Sequence, residues 1–172
     1  MLTNKQMEIL AIVALIHQKA IEHSCDPELL QAIVQIESAY NPNATRYEPN
    51  YKWIFHPRDH AEALGIKYED ELRLQMSSLG LAQVMGALAR ELGLKEHLTE
   101  LLKPKANLDY ACKYLRKLMV RYGSNEASII SAYNAGTAKK RLSGMYYNQT
   151  YVDKVSRVLE DIRRAREGKK GS

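Results

Sequence analysis

Residues 29–42, "LLQAIVQIESAYNP", have the periodicity of an amphipathic helix that ends at a turn. With successive residues about 100° apart, apolar and polar side chains separate into two opposite stripes. The apolar stripe contains Leu29, Leu30, Ile33, Ile36 and Tyr40, and the polar stripe contains Gln31, Gln35 and Ser38. Glu37 falls within the apolar stripe, where a carboxylate is unexpected.

The start and the end of this helix are both marked in the sequence. Asp26 can accept the free N–H groups of the first turn, and Pro27 fits the first helical position. Asn41-Pro42 marks the end. The pattern predicts a helix over 27–40.

Glu37 has two interpretations. Burial of a lone carboxylate is unfavourable, so such a group is usually paired with a cation or pulled to the edge of the core. Alternatively, burial keeps it protonated by raising its pKa, as a catalytic acid requires. Periodicity alone leaves both open.

The composition fits one domain of 172 residues with a net charge of +5 and a pI near 9.1. A basic chain favours an anionic partner, such as nucleic acid, a membrane surface or an acidic wall polymer, although the charge can also serve solubility alone. Part of the basic excess lies in the segment 163–172, "RRAREGKKGS". This segment looks solvated and flexible and does not resemble a surface that recognises nucleic acid. We therefore expect no nucleic-acid partner.

The sequence indicates neither a cofactor nor a metal. Cys25 and Cys112 belong to no C-x-x-C motif, and a disulfide between them is left open. His56 and His60 are four residues apart, but Pro57 lies between them and no third ligand is evident.

The apolar run "ILAIVALI", residues 9–16, is preceded by Glu8 and is followed by no convincing cleavage site. It favours an amphipathic first helix over a signal peptide. No apolar run reaches the roughly 18–20 residues that span a membrane. We expect no membrane insertion.

Helical periodicity predominates along the chain, so the predicted fold class is all-α. The candidate helices cover about 4–23, 27–40, 80–92, 105–122, 126–134 and 150–166, and no strand is predicted. Between 45 and 76 the pattern weakens in a segment that holds the only Trp and the only Phe. This insert is either one wall of a cleft or a loop packed by its own aromatic side chains.

Four short motifs occur in order along the chain. They are "ESAYNP" at 37–42, "SSLGLAQVM" at 77–85, "SAYNAG" at 131–136 and "YVDKVSRVL" at 151–159. Together, over residues 24–160, they resemble the lytic transglycosylases that share the goose-type lysozyme fold. The resemblance implies a lysozyme-like catalytic domain over 1–166, with an insert at about 45–76 and a flexible basic tail at 167–172.

The resemblance also implies roles for particular residues. Glu37 matches the family's catalytic acid. The substrate-binding positions it implies are Ser78, Gly80, Gln83, Tyr133, Asn134 and Tyr151. We expect the Tyr133 hydroxyl to face the cleft. Two features depart from the family pattern, because Ala82 stands where Met is usual and the long insert looks more like phage-associated enzymes.

The activity implied is cleavage of the β-1,4 bond between N-acetylmuramic acid and N-acetylglucosamine by a monomer acting on peptidoglycan glycan strands. One residue would protonate the leaving oxygen and then deprotonate the muramic acid 6-hydroxyl, which gives a 1,6-anhydro end. An enzyme without a signal peptide would stay in the cytoplasm until phage lysis, or reach the cell wall or periplasm by a virion or an export system.

Two alternatives remain at this point. In a hydrolase, a second carboxylate would activate water, and Glu48 is the nearest candidate. Glu48 could instead contribute to substrate binding, be a solvated loop residue or be a partner of Arg46. If the 6-hydroxyl is the nucleophile instead, Tyr51 and Trp53 would serve as sugar platforms. The other alternative is a non-catalytic basic helical binding module.

Overall fold

The computed structural model describes residues 1–170, and this part of the chain contains eight α-helices. They are α1 (Asn4–Glu22), α2 (Pro27–Ser38), α3 (Pro57–Leu64), α4 (Tyr68–Gln75), α5 (Gly86–Glu91), α6 (Pro104–Tyr122), α7 (Glu126–Ala135) and α8 (Gln149–Lys170). A 3₁₀ helix covers Leu98–Leu102. The predicted all-α fold class is confirmed.

Helix α2 lies at the centre of the fold and packs against α1 and α8. Its start follows the predicted capping, because Asp26 Oδ1 accepts hydrogen bonds from the N–H groups of Glu28 (2.8 Å) and Leu29 (3.0 Å). Leu30 and Ile33 are fully buried. They join a core that also includes Ile16, Leu81, Leu98, Leu101, Leu108, Leu115, Ile130, Val155 and Leu159.

A small antiparallel sheet, absent from the sequence prediction, lies beside the helices. Its strands β1 (Thr45–Tyr47), β2 (Ser77–Leu79) and β3 (Val84–Met85) are ordered β1-β2-β3. Arg46 pairs with Ser78, and Ser78 pairs with Met85. The sheet brings the residue segment after α2 next to the "SSLGLAQVM" motif.

The predicted helix over 80–92 was wrong in its first half. Residues 80–83 form a turn, and α5 begins only at Gly86. Gly80 (φ 75°) and Gln83 (φ 47°) are both in the left-handed region, which cannot continue a right-handed helix.

The insert at 45–76 contains β1 and two helices, α3 and α4, that the sequence analysis did not predict. The buried face of α4 is polar, because Glu71 and Gln75 are fully buried. Glu71 forms two hydrogen bonds, each of 2.8 Å, with the buried guanidinium of Arg90 on α5. This ion pair attaches the insert to the rest of the domain.

The ends of the chain also differ from the prediction. Helix α8 continues to Lys170, past the predicted end at 166, so most of the predicted tail at 167–172 is helical and residues 171–172 lie outside the described residues. Within residues 1–170, no helix combines the length and apolar character of a transmembrane segment.

Candidate active site

The side chain of Glu37 projects from the last turn of α2 and is half-buried. Its Oε1 accepts a hydrogen bond of 2.6 Å from the hydroxyl of Tyr151 in the first turn of α8. Because α2 and α8 pack against each other, two residues 114 positions apart meet at one point. The structure therefore brings together the first and last of the predicted site residues.

The surroundings of Glu37 favour its protonated form. Burial raises its pKa above the ordinary value of 4.5, while the Tyr151 hydrogen bond and the positive charge of Arg46 offset this only in part. Burial, together with the charge of Glu37, also raises the pKa of Tyr151, so this phenol remains a neutral donor. The carboxyl can thus hold a proton to higher pH than an exposed glutamate does.

The chain turns sharply after Glu37. Ala39 (φ 50°) and Tyr40 (φ 65°) are both left-handed, a conformation that is unfavourable for residues with a Cβ. The Tyr40 side chain is partly buried against the core, as its place in the apolar stripe predicts, while its hydroxyl donates to Gln35 Oε1 at 3.1 Å. The helix ends at Ser38, two residues before the predicted end, and this turn directs the chain into β1.

Gln83 joins the turn at 80–83 to the segment that follows α2. Its Nε2 donates to the carbonyl oxygens of Ala44 (3.0 Å) and Gly80 (2.9 Å), and its Oε1 accepts from Ser78 Oγ (2.9 Å). The backbone N–H of Gly80 also donates to the Ala44 carbonyl at 2.8 Å. Three of the predicted site residues therefore form one hydrogen-bonded cluster beside Glu37's turn.

Asn107, on α6, forms hydrogen bonds with the turn at 80–83 and its neighbours. The sequence analysis did not identify this residue. It is fully buried, donates to the carbonyls of Leu79 (2.7 Å) and Leu101 (2.8 Å), and accepts from the N–H of Ala82 (2.8 Å). A Cβ at Gly80 would lie 2.4 Å from Asn107 Nδ2, so only glycine fits there. In the sequence, Asn107 could have been noticed as an amide side chain that falls among the apolar positions of the helix α6.

Tyr133 is buried, and its hydroxyl donates to the carbonyl of Ala82 at 2.9 Å. The expectation that this hydroxyl faces the cleft was wrong. Burial, and secondarily the charge of Glu37, raises the Tyr133 pKa well above its ordinary value. Tyr133 therefore lies near the acid but supports the turn that contains Ala82.

Asn134 is exposed at the end of α7, where its Oδ1 accepts a hydrogen bond of 3.0 Å from Asn148. Asn148 also donates to the Ser131 carbonyl (3.0 Å) and accepts from Ser131 Oγ (2.7 Å). This contact ties α7 to the segment that precedes α8, and so fixes the helix start that carries Tyr151. Asn148 lies outside the motifs and was not predicted.

Arg46 and Glu48 form a hydrogen-bonded ion pair of 2.5 Å between Arg46 Nε and Glu48 Oε1. The interpretation of Glu48 as a partner of Arg46 is confirmed by this contact. The Arg46 side chain is largely exposed, so most of the guanidinium is free to contact solvent or ligand.

The predicted sugar platforms lie in the segment between β1 and α3. The rings of Tyr51 and Trp53 are edge to face with centroids 5.5 Å apart. Trp53 is 75% exposed, whereas Tyr51 is half-buried. Their role toward sugar stays a prediction.

The cysteines and the pair His56 and His60 were the other candidate ligands in the sequence. Cys25 and Cys112 are buried free thiols. His56 and His60 pack around the Phe55 ring, with centroids 4.7 and 6.2 Å away. Within the part of the chain that the structure describes, no group of three side chains could hold a metal ion.

Comparison with known families accounts for most of the chain. The family model described as the Transglycosylase SLT domain matches residues 14–152. The matched range includes the end of α2, the turn at 80–83, the end of α7 and Tyr151, so every residue of the candidate site lies within it. No solved structure matches the chain.

Proposed function

The chain belongs to the Transglycosylase SLT domain family, and from this membership we propose that it cleaves the β-1,4 bond between N-acetylmuramic acid and N-acetylglucosamine and leaves 1,6-anhydro-muramic acid ends. The family acts on the glycan of the cell wall. The observation that carries the proposal is the half-buried Glu37 with its raised pKa and its 2.6 Å hydrogen bond from Tyr151.

In the first step, protonated Glu37 donates its proton to the glycosidic oxygen as the bond from that oxygen to the muramic acid C1 breaks. The N-acetylglucosamine product leaves with a hydroxyl, and positive charge develops at C1. Burial supports this step, because it keeps the carboxyl protonated before the substrate reacts.

In the second step, the Glu37 carboxylate takes the proton of the muramic acid 6-hydroxyl, whose oxygen forms a new bond to C1. This regenerates protonated Glu37 and consumes no water. Between the steps the carboxylate is charged, and the Tyr151 hydroxyl and the Arg46 charge both favour that form. Burial therefore supports the first step, in which Glu37 must be protonated, and Tyr151 and Arg46 support the second step, in which it must be charged.

We assign the remaining site residues mainly to the shape of the cleft. The polar atoms of Gln83 and the hydroxyls of Ser78 and Tyr133 are already engaged within the protein. Gly80 and Gln83 would contact sugar through the turn that they form. Asn134 is exposed and would contact the substrate directly.

Hydrolysis is the alternative chemistry, and it requires a second carboxylate that activates water. Glu48 is the candidate, but its Oε1 already accepts from Arg46 at 2.5 Å. This contact favours a positioning role for Glu48. The transglycosylase reaction needs no second carboxylate.

We propose that the enzyme is phage-associated, because the insert at 45–76 is longer than in typical members of the family. Such an enzyme would stay in the cytoplasm until lysis or travel with the virion. Dependence of wall degradation on a co-expressed holin in a bacterial host would support the first route.

The products of digestion test the proposed reaction. Purified peptidoglycan sacculi are digested and the soluble muropeptides are identified by mass, since anhydro ends are one water lighter than hydrolysed ends. We expect anhydro ends from the unmodified protein and no soluble product from the Glu37→Gln variant. Reducing muramic acid ends as the main product would contradict the proposal.

A further inference from the structure

The segment between α7 and α8 forms a hairpin that no part of the proposed reaction uses. Lys140 and Tyr146 pair in antiparallel fashion, the Arg141 N–H donates to the Met145 carbonyl at 2.8 Å, and the left-handed Gly144 (φ 83°) closes the turn. We call residues 139–147 the basic hairpin.

The base of the basic hairpin is fixed to the domain. Tyr146 is 6% exposed, and its hydroxyl shares a hydrogen bond of 2.8 Å with Ser128 Oγ on α7. The Tyr146 N–H donates to Gln149 Oε1 at 3.0 Å. Just before the hairpin, the Ala138 N–H donates to the Tyr122 hydroxyl at 3.1 Å. These contacts hold the hairpin in one orientation.

The outer part of the basic hairpin combines positive charge with exposed apolar surface. Lys139, Lys140 and Arg141 are exposed, residues 137–148 contain no acidic side chain, and none of the three cations forms an ion pair within the described part of the chain. Leu142 at the tip is fully exposed, and Met145 is 51% exposed. Water is a poor environment for this tip.

This combination identifies the class of partner. The cations alone could bind any polyanion. Leu142 and Met145, however, contribute favourably to binding only where the partner removes them from water. An anionic bilayer offers both, with phosphate head groups for the cations and an acyl boundary a few ångströms below. The exposed Tyr147 beside Arg141 is also typical of membrane interfaces.

We propose that the basic hairpin docks the protein onto the surface of a membrane rich in anionic lipid, with Leu142 and Met145 at the boundary between head groups and acyl chains. Docking of this kind is shallow and needs no spanning helix. The expectation of no membrane insertion was based on the absence of a long apolar run. A hairpin tip with two apolar side chains contains no such run and needs none for shallow docking.

The hairpin is joined closely to the candidate active site. The next residue after it is Asn148, which donates a hydrogen bond to Asn134, and Tyr151 follows three residues later. Docking would therefore hold the cleft close to the membrane, where the glycan strands nearest the bilayer lie. The inference does not depend on whether the products carry anhydro or reducing ends.

Sedimentation with lipid vesicles tests the proposal at physiological ionic strength. We expect binding to vesicles of equal parts phosphatidylglycerol and phosphatidylcholine, and none to pure phosphatidylcholine. Combined Lys139→Gln, Lys140→Gln and Arg141→Gln should weaken binding about a hundredfold, at about fivefold per cation. Combined Leu142→Ser and Met145→Ser should weaken it about tenfold or more.

Two control variants match these changes elsewhere on the surface. Lys67→Gln, Lys95→Gln and Lys105→Gln remove the same charge from exposed sites outside the hairpin. Ile21→Ser and Val120→Ser change side chains that are 71% and 84% exposed. Both controls should retain binding within about fivefold of the unmodified protein.

Three outcomes would overturn the proposal: no binding to the anionic vesicles, equal losses in the hairpin variants and their controls, or hairpin-dependent binding to sacculi without vesicle binding. The last outcome would assign the hairpin to a wall polymer. Cleavage of soluble glycan strands, followed in parallel, separates this test from the proposed function. If the protein bound vesicles but cleaved no glycan strands, this would contradict the proposed function and leave the docking proposal standing.

Discussion

The Tyr151 hydroxyl donates a hydrogen bond of 2.6 Å to Oε1 of Glu37 and so joins the first turn of α8 to the last turn of α2. Neither helix could create this arrangement alone. Packing of α2 against α8 both buries the carboxyl and supplies its hydrogen-bond donor. The chemistry of the candidate acid therefore depends on the contact between two helices.

The first prediction is that Glu37→Gln abolishes wall lysis but keeps the fold. Glutamine has the same shape and can still accept from Tyr151, yet it has no proton to transfer. Activity on sacculi should fall at least about a hundredfold, since positioned proton transfer typically contributes 10²–10⁴-fold. Glu62→Gln, on the exposed surface of α3, is the control and should keep full activity.

The same variant tests the raised pKa of Glu37. A folded-state pKa above the unfolded one gives stability that is complete at low pH and is lost as the pH rises through the folded value. Glutamine does not titrate. The melting temperature of Glu37→Gln should therefore equal that of the unmodified protein below about pH 4 and exceed it at neutral pH. Equal curves at all pH values would argue against a buried carboxyl.

The second prediction is that Tyr151→Phe raises the pKa of Glu37 further. The tyrosine hydrogen bond favours the carboxylate, so its loss should move the alkaline limb of the pH–activity profile to higher pH. Turnover should fall about ten- to a hundredfold, because hydrogen bonds to charged groups contribute about 1.5–3 kcal/mol. Tyr147→Phe, on an exposed ring of the basic hairpin, should change neither quantity. An unshifted profile would show that the hydroxyl does not act on Glu37.

The third prediction is that Tyr133→Phe reduces stability more than turnover. The variant leaves the Ala82 carbonyl without its 2.9 Å partner in a buried place, which costs about 1–3 kcal/mol. The melting temperature should fall several degrees, with turnover nearly unchanged well below it. Tyr47→Phe, on a ring that is 49% exposed, serves as the control. A large loss of turnover at an unchanged melting temperature would instead indicate that the Tyr133 hydroxyl acts on the substrate in the cleft.

The parts of the fold predicted from sequence depend on local chemistry. Asp26 and Pro27 fix the start of α2 through hydrogen bonds and backbone geometry within one turn, so the start is visible in the sequence. The odd position of Glu37 is also a local property of one helix. Its partner Tyr151 came only from the family resemblance, because periodicity says nothing about which distant residue packs on a given turn.

The parts that were missed depend on distant polar contacts. The turn at 80–83 is held by Asn107 and the Ala44 carbonyl, and neither is adjacent in sequence. Helix α4 escaped prediction because Glu71 and Gln75 face inward, which removes the apolar periodicity that normally reveals a helix. A buried ion pair looks like two surface charges until the partner is known.

The fourth prediction is that Glu71→Gln destabilises the insert. It leaves the guanidinium of Arg90 charged and fully buried, which costs about 3–5 kcal/mol. Although burial acts to raise the Glu71 pKa, the Arg90 hydrogen bonds hold it below its ordinary value. The unmodified protein should therefore lose this stability as the pH falls below about 4, and the variant should show a flatter acid limb.

The control for this prediction is an exposed pair. Lys117 pairs with Glu91 at the surface, so Glu91→Gln should cost less than about 1 kcal/mol. Thermal unfolding of both variants at neutral pH gives the comparison. If the two changes lowered the melting temperature equally, the Glu71 pair would have no special role in attaching the insert.

The last prediction concerns Glu48 and separates the two reactions. If Glu48 activates water, Glu48→Gln should remove most activity, and the unmodified enzyme should release reducing muramic acid ends. If the 6-hydroxyl is the nucleophile, the change should free Arg46 and alter mainly KM, with kcat within about tenfold. We expect the second result, because Oε1 of Glu48 is held by Arg46 at 2.5 Å and the residue follows β1 in an irregular segment. Arg46→Gln should also change KM, since it removes the other half of the pair, and it should in addition raise the Glu37 pKa, since the Arg46 charge favours the carboxylate. An inactive Glu48→Gln enzyme together with reducing ends would replace the transglycosylase reaction with hydrolysis on the same fold.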